Sequence, residues 1–405
     1  MITLIQKLEH ADESRERKRK YTHQNLKRRE KLIPITGHGF TLKQTKGRAP
    51  NRRKQERGEK RKKMICKFDR IYQLGDSISD TGNLIREVPI GASTAFARLP
   101  YGETFFKNAT GRCYNGLLMI DFIAMAAGLP FLPPYKDVNG DFRHGVNFAV
   151  AGSTALPSEV LAGKHIISPV TTSSLSVQLD WMSSHLNSIC TNHRDCAEKL
   201  QHTLFMVGEV GGNDYNYAIF QGKTMDELRG MVPEVVKAIM DGVRKAISYG
   251  ATRVVVPGNF PIGCLPIYKT AFQTNIYAAY DENQCLKQLN EFAMYHNEEL
   301  KQSIRKLKQE KPNAIIVYGD YYNAYQFVLQ FAKLEGFESS QRACCGTGGK
   351  YNFNMTSMCG AHGVTICADP HRYMSWDGVH LTQEGYKIMS AWLVLDLFTK
   401  LHCHI

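Results

Sequence analysis

From Cys66 onward, short runs of β-branched and apolar residues alternate with longer segments of helical periodicity, the pattern of parallel strands joined by crossover helices. Strands are predicted at residues 70–74, 146–150, 203–207, 253–256 and 314–318. Residues 285–308 place Leu286, Leu289, Phe292, Ala293, Leu300, Ile304 and Leu307 near one helical face, with Lys and Glu elsewhere. That spacing predicts an amphipathic helix covering a sheet, stopped by Pro312 before the next strand. A last helix over 384–401 carries Ile388, Trp392, Leu393, Leu395 and Phe398 and is expected to pack on the same sheet. No internal repeat is present, so residues 64–405 read as one α/β domain with long loops.

The first 63 residues follow no such pattern. They carry 21 Lys/Arg against 7 Asp/Glu in runs such as RERKRK and RKQERGEKRKK, with few large apolar residues between. A segment like this cannot bury enough surface to offset chain entropy, and disorder is expected. The chain as a whole has a formal net charge of +13 over 405 residues, but residues 64–405 hold 30 Lys/Arg against 31 Asp/Glu. Basic character therefore belongs to the N-terminal segment alone. Its functional reading is a nuclear-localisation or nucleic-acid arm; its plainer reading is a solvated extension, or a gene-model artefact where a signal peptide would be. The opening MITLIQKLEHADESRERKRK turns charged after Ile5, so no secretory signal is expected there. The longest apolar stretch, 117–132, is interrupted by Asp121, Gly128 and Pro130, and no membrane span is expected.

All 11 cysteines lie at or after Cys66. So many thiols point to oxidising surroundings and several disulfides, with one sulfur left over. Two glycosylation acceptors, Asn108 in Asn-Ala-Thr and Asn354 in Asn-Met-Thr, are compatible with that setting.

In an open parallel sheet, ligands bind outside the carboxyl ends of the strands. The segments there are polar and glycine-rich: Gly75-Asp76-Ser77-Ile78-Ser79-Asp80-Thr81-Gly82-Asn83 after the first strand, Ala151-Gly152-Ser153 after the second, and Gly208 to Asp214 after the third. Near the C-terminus, Trp376-Asp377-Gly378-Val379-His380 precedes the last helix. A serine hydroxyl needs an adjacent base, and the base a third group to fix its tautomer. Ser77, His380 and Asp377 are candidates for those roles. An acyl-transfer intermediate also needs donors aimed at its oxyanion. The backbone N–H groups of Ser77 and Gly152 and the Asn213 side-chain amide are the candidates. No G-x-S-x-G is present, which disfavours a nucleophile elbow.

The blocks GDSISDTGN, GVNFAVAGSTAL, GGNDYNYA and WDGVH resemble the successive motifs of the plant GDSL esterase/lipase family, within the SGNH hydrolases, over essentially all of residues 66–401. CCGTGGKYNFN and CGAHGVTICADP resemble the branch of acetylajmalan and sinapine esterases. The resemblance implies a three-layer α/β/α, flavodoxin-like fold with a mainly parallel sheet. It implies Ser77 as nucleophile, Ser77, Gly152 and Asn213 as oxyanion donors, and Asp377 and His380 as acid and base. It also implies hydrolysis of short-chain or phenolic esters, small-molecule or polymeric, through an acyl-enzyme. Leu74 stands where Phe is common in the family, and Tyr114 where a small polar residue is more usual; neither is expected to touch the catalytic set.

Asp80 and Asn83 read as structural residues that hold the loop after Ser77. Asp214 is expected to stabilise its own turn. Cys359 and His362, with Cys344, Cys345 and Cys367 nearby, could suggest zinc, but disulfides are the expectation, and neither metal nor cofactor is called for. Cys190 with Cys196 and Cys264 with Cys285 are the expected local pairs; the connectivity of the remaining cluster stays open. Two other functions compete. The same acyl-enzyme could transfer its acyl group to an alcohol, and the chain could be a non-catalytic binder whose basic tail engages nucleic acid. Nucleic acid is not the expected partner, and a monomer is expected. Localisation reads as extracellular by resemblance, while the basic N-terminus leaves an intracellular or nuclear address open.

Overall fold

The computed structural model of the protein describes residues 67–87, 89–334 and 336–403. The basic segment expected over residues 1–63 lies outside the described residues. Five strands, β1 (Arg70–Leu74), β2 (Gly145–Asn147), β3 (Thr203–Val207), β4 (Arg253–Pro257) and β5 (Ile315–Gly319), form one sheet in the order β2-β1-β3-β4-β5. Every pairing in it is parallel.

Side chains alternate across a strand, and the sheet uses both faces. Ile71, Leu204, Met206, Val255 and Val317 pack with the helices Met119–Ala126, Tyr321–Leu334 and Gln383–Lys400. Tyr72, Phe205, Val207, Val254, Val256 and Ile316 pack with Leu175–Ile189, Met225–Ser248 and Lys287–Glu310. The result is a three-layer α/β/α arrangement. The two helices anticipated from periodicity cover the same sheet from opposite faces.

Helix 287–310 begins two residues later than its hydrophobic spacing suggests. Cys285 is tied to Cys264, and the Leu286 N–H donates to the Gly263 carbonyl, so the chain is still extended there. Strand β2 is shorter than the apolar run at 146–150. The Asn147 side chain donates to the Ser79 carbonyl at 2.6 Å and accepts from the Ala149 N–H at 2.9 Å, turning the chain off the ladder. The apolar stretch at 117–132 supplies a buried helix, Met119–Ala126. Among the described residues, no helix is long and apolar enough to cross a membrane.

Helix 225–248 starts from a reciprocal cap: the Thr224 hydroxyl accepts the Glu227 N–H, and the Glu227 carboxylate accepts the Thr224 N–H. The Thr382 hydroxyl caps helix 383–400 through the Gly385 N–H at 3.1 Å, which fixes the chain two residues beyond His380.

Outside the sheet, residues 339–375 form two small ladders, Ser339–Ala343 with Tyr373–Ser375 and Cys345–Gly346 with Thr365–Ile366. Disulfides Cys344–Cys367 and Cys345–Cys359 staple this region, and Cys190–Cys196 and Cys264–Cys285 are paired as expected. Asn108 and Asn354 are both exposed.

Candidate active site

The strand order turns over between β1 and β3, and their carboxyl ends open the crevice where such sheets take ligands. Gln178, on helix 175–189, holds the exit of β1 by accepting from the Gly75 N–H at 2.9 Å and donating to the Gly75 carbonyl at 2.8 Å. Beyond it, the Asp76 carbonyl accepts from the Ser79 and Asp80 N–H groups, and its carboxylate accepts from the Ile78 N–H at 2.9 Å. These bonds wind the chain into one tight turn around Ser77, which is left half-buried.

The loops after β1 and β2 are bonded to each other. The Asp80 carboxylate accepts N–H groups from Gly82, Asn83 and Leu84 on its own loop and from Ala151 on the other. The Asn83 amide donates to the Asn147 and Ala149 carbonyls, 2.8 Å each. Together they set Gly152 beside the Ser77 turn. Gly152 has φ +82°, and a Cβ there would lie 2.5 Å from Val170, so the position suits glycine alone. Among the described residues, the Ser77 and Gly152 N–H groups have no hydrogen-bond acceptor.

Asn213 opens the helix Gly212–Phe220 after β3. Its amide nitrogen donates to the Ser153 carbonyl at 2.9 Å and toward Asp76 Oδ2 at 3.3 Å. The Asp214 carboxylate, in the first turn of this helix, reaches back to the Ala155 and Leu156 N–H groups. It thereby fastens the third strand end to the second.

The fourth segment arrives from the stapled region. The Cys344 and Cys345 N–H groups donate to the Ser375 and Trp376 carbonyls, clasping the strand that leads to Asp377. Gly378, at φ +94°, makes the turn, with the Phe353 ring 2.1 Å from where a Cβ would stand. Asp377 Oδ1 accepts the Val379 and His380 N–H groups, which folds the three-residue spacing back on itself.

Across this junction, His380 Nδ1 lies 2.8 Å from Asp377 Oδ2, and His380 Nε2 lies 2.9 Å from Ser77 Oγ. Asp377 is 1% and His380 5% exposed. Burial raises the Asp377 carboxyl, but the neighbouring His380 ring and the N–H donors outweigh it and hold the acid below its ordinary value. An ionised carboxylate, an imidazole and a hydroxyl in one line can pass a proton from oxygen to nitrogen while the carboxylate supports the ring.

Several residues that sequence reasoning did not single out complete the site. The Tyr101 hydroxyl donates to Asp377 Oδ2 at 3.0 Å. The Phe96 ring meets His380 edge to face, with centroids 6.2 Å apart. Tyr114, expected to be remote, lies 5.0 Å from the His380 ring centroid and donates to the Ser77 carbonyl. Its proximity arises because residues 111–116 run beneath the Ser77 turn, where Tyr114 also packs on Tyr386 at 4.7 Å. A cavity of about 280 Å³ lies beside Val170, with Leu84, Glu87, Pro89 and Ile90 among its walls. Among the described residues, no group of His, Cys, Asp and Glu is arranged to hold a metal ion.

Comparison with known proteins places the chain in a family. The family model for GDSL-like lipase/acylhydrolase matches residues 71–393. The chain is similar to acetylajmalan esterase 2 of Rauvolfia serpentina, 43% identical over 341 residues that cover 84% of this chain and 93% of that protein. It is also similar to a GDSL esterase/lipase of Arabidopsis thaliana, 44% identical over 340 residues that cover 84% of this chain and 92% of the other.

Proposed function

Since the chain belongs to the GDSL-like lipase/acylhydrolase family and is a serine carboxylester hydrolase, we propose that Ser77, His380 and Asp377 carry its chemistry. The observation that bears most weight is the unbroken chain from Ser77 Oγ through the His380 ring to Asp377 Oδ2, at 2.9 and 2.8 Å. His380 Nε2 takes the proton as Ser77 Oγ bonds to the ester carbonyl carbon. The carbonyl oxygen becomes an oxyanion, met by the N–H groups of Ser77 and Gly152 and the Asn213 amide. As the intermediate collapses, the carbon–oxygen bond to the alcohol breaks, and His380 returns its proton to that leaving oxygen. Water then gives a proton to His380 and its oxygen to the acyl carbon, so that the acid leaves and the Ser77 hydroxyl is restored.

The substrate is a short-chain or phenolic ester. Support comes from the cavity of about 280 Å³ beside Val170, which itself packs over Gly152, and from the acetyl ester in the name of a relative. Four disulfides within the described residues and two exposed glycosylation acceptors favour work in the secretory pathway or outside the cell. Purified enzyme assayed on acetyl, phenolic and long-chain acyl esters tests this reading. Turnover should favour the first two and vanish in Ser77→Ala. A preference for long acyl chains would overturn the substrate class, and undiminished hydrolysis by the variant would overturn the mechanism.

A further inference from the structure

Directly behind the Ser77 turn, two acids face each other in a dry setting. Asp76 and Glu209 are 3% and 4% exposed, and their carboxyl groups hydrogen-bond to one another. The backbones are joined as well, since the Asp76 N–H donates to the Glu209 carbonyl at 3.1 Å. A hydrogen bond between two carboxyl groups requires a proton on one of them. Two buried carboxylates in contact do not both ionise. Glu209 is the acid that keeps the proton: burial pushes it well above the ordinary range, and the Asp76 charge and hydrogen bond add to that. Burial raises Asp76 only to about 6, because the Ile78 N–H, the His380 ring and Glu209 itself favour its ionised form.

The pair matters through Asn213. Of the two hydrogens on its amide nitrogen, one is committed to the Ser153 carbonyl at 2.9 Å, and the other points at Asp76 Oδ2 over a longer 3.3 Å. Only the second, on its longer contact, can be shared with a developing oxyanion. Without a donor from Glu209, the Asp76 carboxylate, left with the Ile78 N–H alone, would hold that hydrogen more tightly, and a doubly ionised pair would also repel the oxyanion. We infer that Glu209 is a positioning residue whose carboxylic acid donates to Asp76 and so leaves the Asn213 N–H available to the reacting ester. This rests on the proposed role of Asn213.

The surroundings define what else titrates nearby. Asp214 and Tyr215 from helix 212–220, Tyr268 from the helix Pro266–Ala271 and Tyr321 from helix 321–334 all face Glu209. Burial pushes the three phenols above their ordinary value, so they stay neutral, and pushes Asp214 up to about 7. Gly212 lies against the Glu209 carboxyl, one oxygen of which is 3.2 Å from where a Gly212 Cβ would stand. Glutamine in place of Glu209 can donate to Asp76 at every pH.

The test compares Glu209→Gln, Glu209→Ala and Asp214→Asn in the full-length enzyme, with kcat and KM measured for each. Glu209→Gln should keep kcat within about twofold of the unsubstituted enzyme and of Asp214→Asn at pH 7.5, because the amide also donates to Asp76. Glu209→Ala should lower kcat at least tenfold with KM little changed. A folded Glu209→Gln that loses kcat as far as Glu209→Ala does overturns the inference. So does full kcat in a folded Glu209→Ala; where that variant does not fold, the kcat of Glu209→Gln decides. Fluorophosphonate labelling of Ser77 separates the levels: without it the proposed mechanism falls, whereas with it a failed glutamine test removes only the role of Glu209.

Discussion

Asp377 Oδ2 accepts two hydrogen bonds at once, from His380 Nδ1 at 2.8 Å and from the Tyr101 hydroxyl at 3.0 Å. Burial raises the Tyr101 phenol well above its ordinary value, with the Asp377 charge adding, so it remains a donor at any working pH. Tyr101→Phe removes that donor without changing the ring, which packs edge to face on Phe96 and Trp376. A hydrogen bond to a charged partner contributes about 1.5 kcal/mol, so kcat should fall roughly tenfold with little change in KM. Steady-state kinetics of the variant checks this, and an unchanged kcat would remove Tyr101 from the support of the acid.

Asn213→Ala removes one candidate oxyanion donor and should lower kcat by about 10² to 10³ while substrate binding is largely kept. The neighbouring Asp214 still ties the strand ends together through Ala155 and Leu156. A normal melting temperature with depressed kcat is therefore expected. Loss of both in parallel would mean that Asn213 serves the fold.

These two residues illustrate what could be read in advance. Asn213 sits in a polar run directly after a strand, where the sheet rule directs attention, whereas Tyr101 lies 276 residues from Asp377 in a loop with no periodicity. The strands at 70–74 and 203–207 were legible to the residue because each is a short apolar run bounded by polar turns. The end of β2 was not, since a side-chain bond from Asn147 ends the ladder inside an apolar run. Spacing revealed Cys190–Cys196 and Cys264–Cys285. Adjacent Cys344 and Cys345 made either partner reachable, and only the ladder geometry selects Cys367 and Cys359.

That stapled region yields a third prediction. Cys345–Cys359 closes a short loop against the strand that leads to Asp377, and such a crosslink contributes about 3 kcal/mol, mainly by restricting the unfolded chain. Replacing both residues by alanine should lower the melting temperature. It should also reduce kcat, because the Cys345 N–H to Trp376 carbonyl contact loosens. Calorimetry together with kinetics would check both, and unchanged kinetics would uncouple the staple from the site.

Acid sensitivity of the fold should trace in part to His296. The ring is buried, its Nδ1 lies 2.8 Å from the Tyr215 hydroxyl, and burial lowers it from 6.5 to about 4. The unfolded chain binds the proton first, so this stabilisation is complete above about pH 6.5 and is lost as pH falls toward 4. Between pH 7.5 and 4.5 the loss from this one residue is about 2–3 kcal/mol. Urea unfolding of His296→Gln, which can hydrogen-bond Tyr215 in either direction, should show a smaller difference between the two pH values; an equal difference would contradict the assignment.

Hydrolysis through an acyl-enzyme requires that Ser77 be an activated nucleophile. Fluorophosphonate labelling with peptide mapping tests it most directly, using purified enzyme from a secretory host and Ser77→Ala and His380→Ala as controls. A single phosphonylated peptide containing Ser77 is expected, absent in Ser77→Ala and formed orders of magnitude more slowly in His380→Ala. Well-folded protein that is not labelled, or labelling that persists in Ser77→Ala, would contradict it.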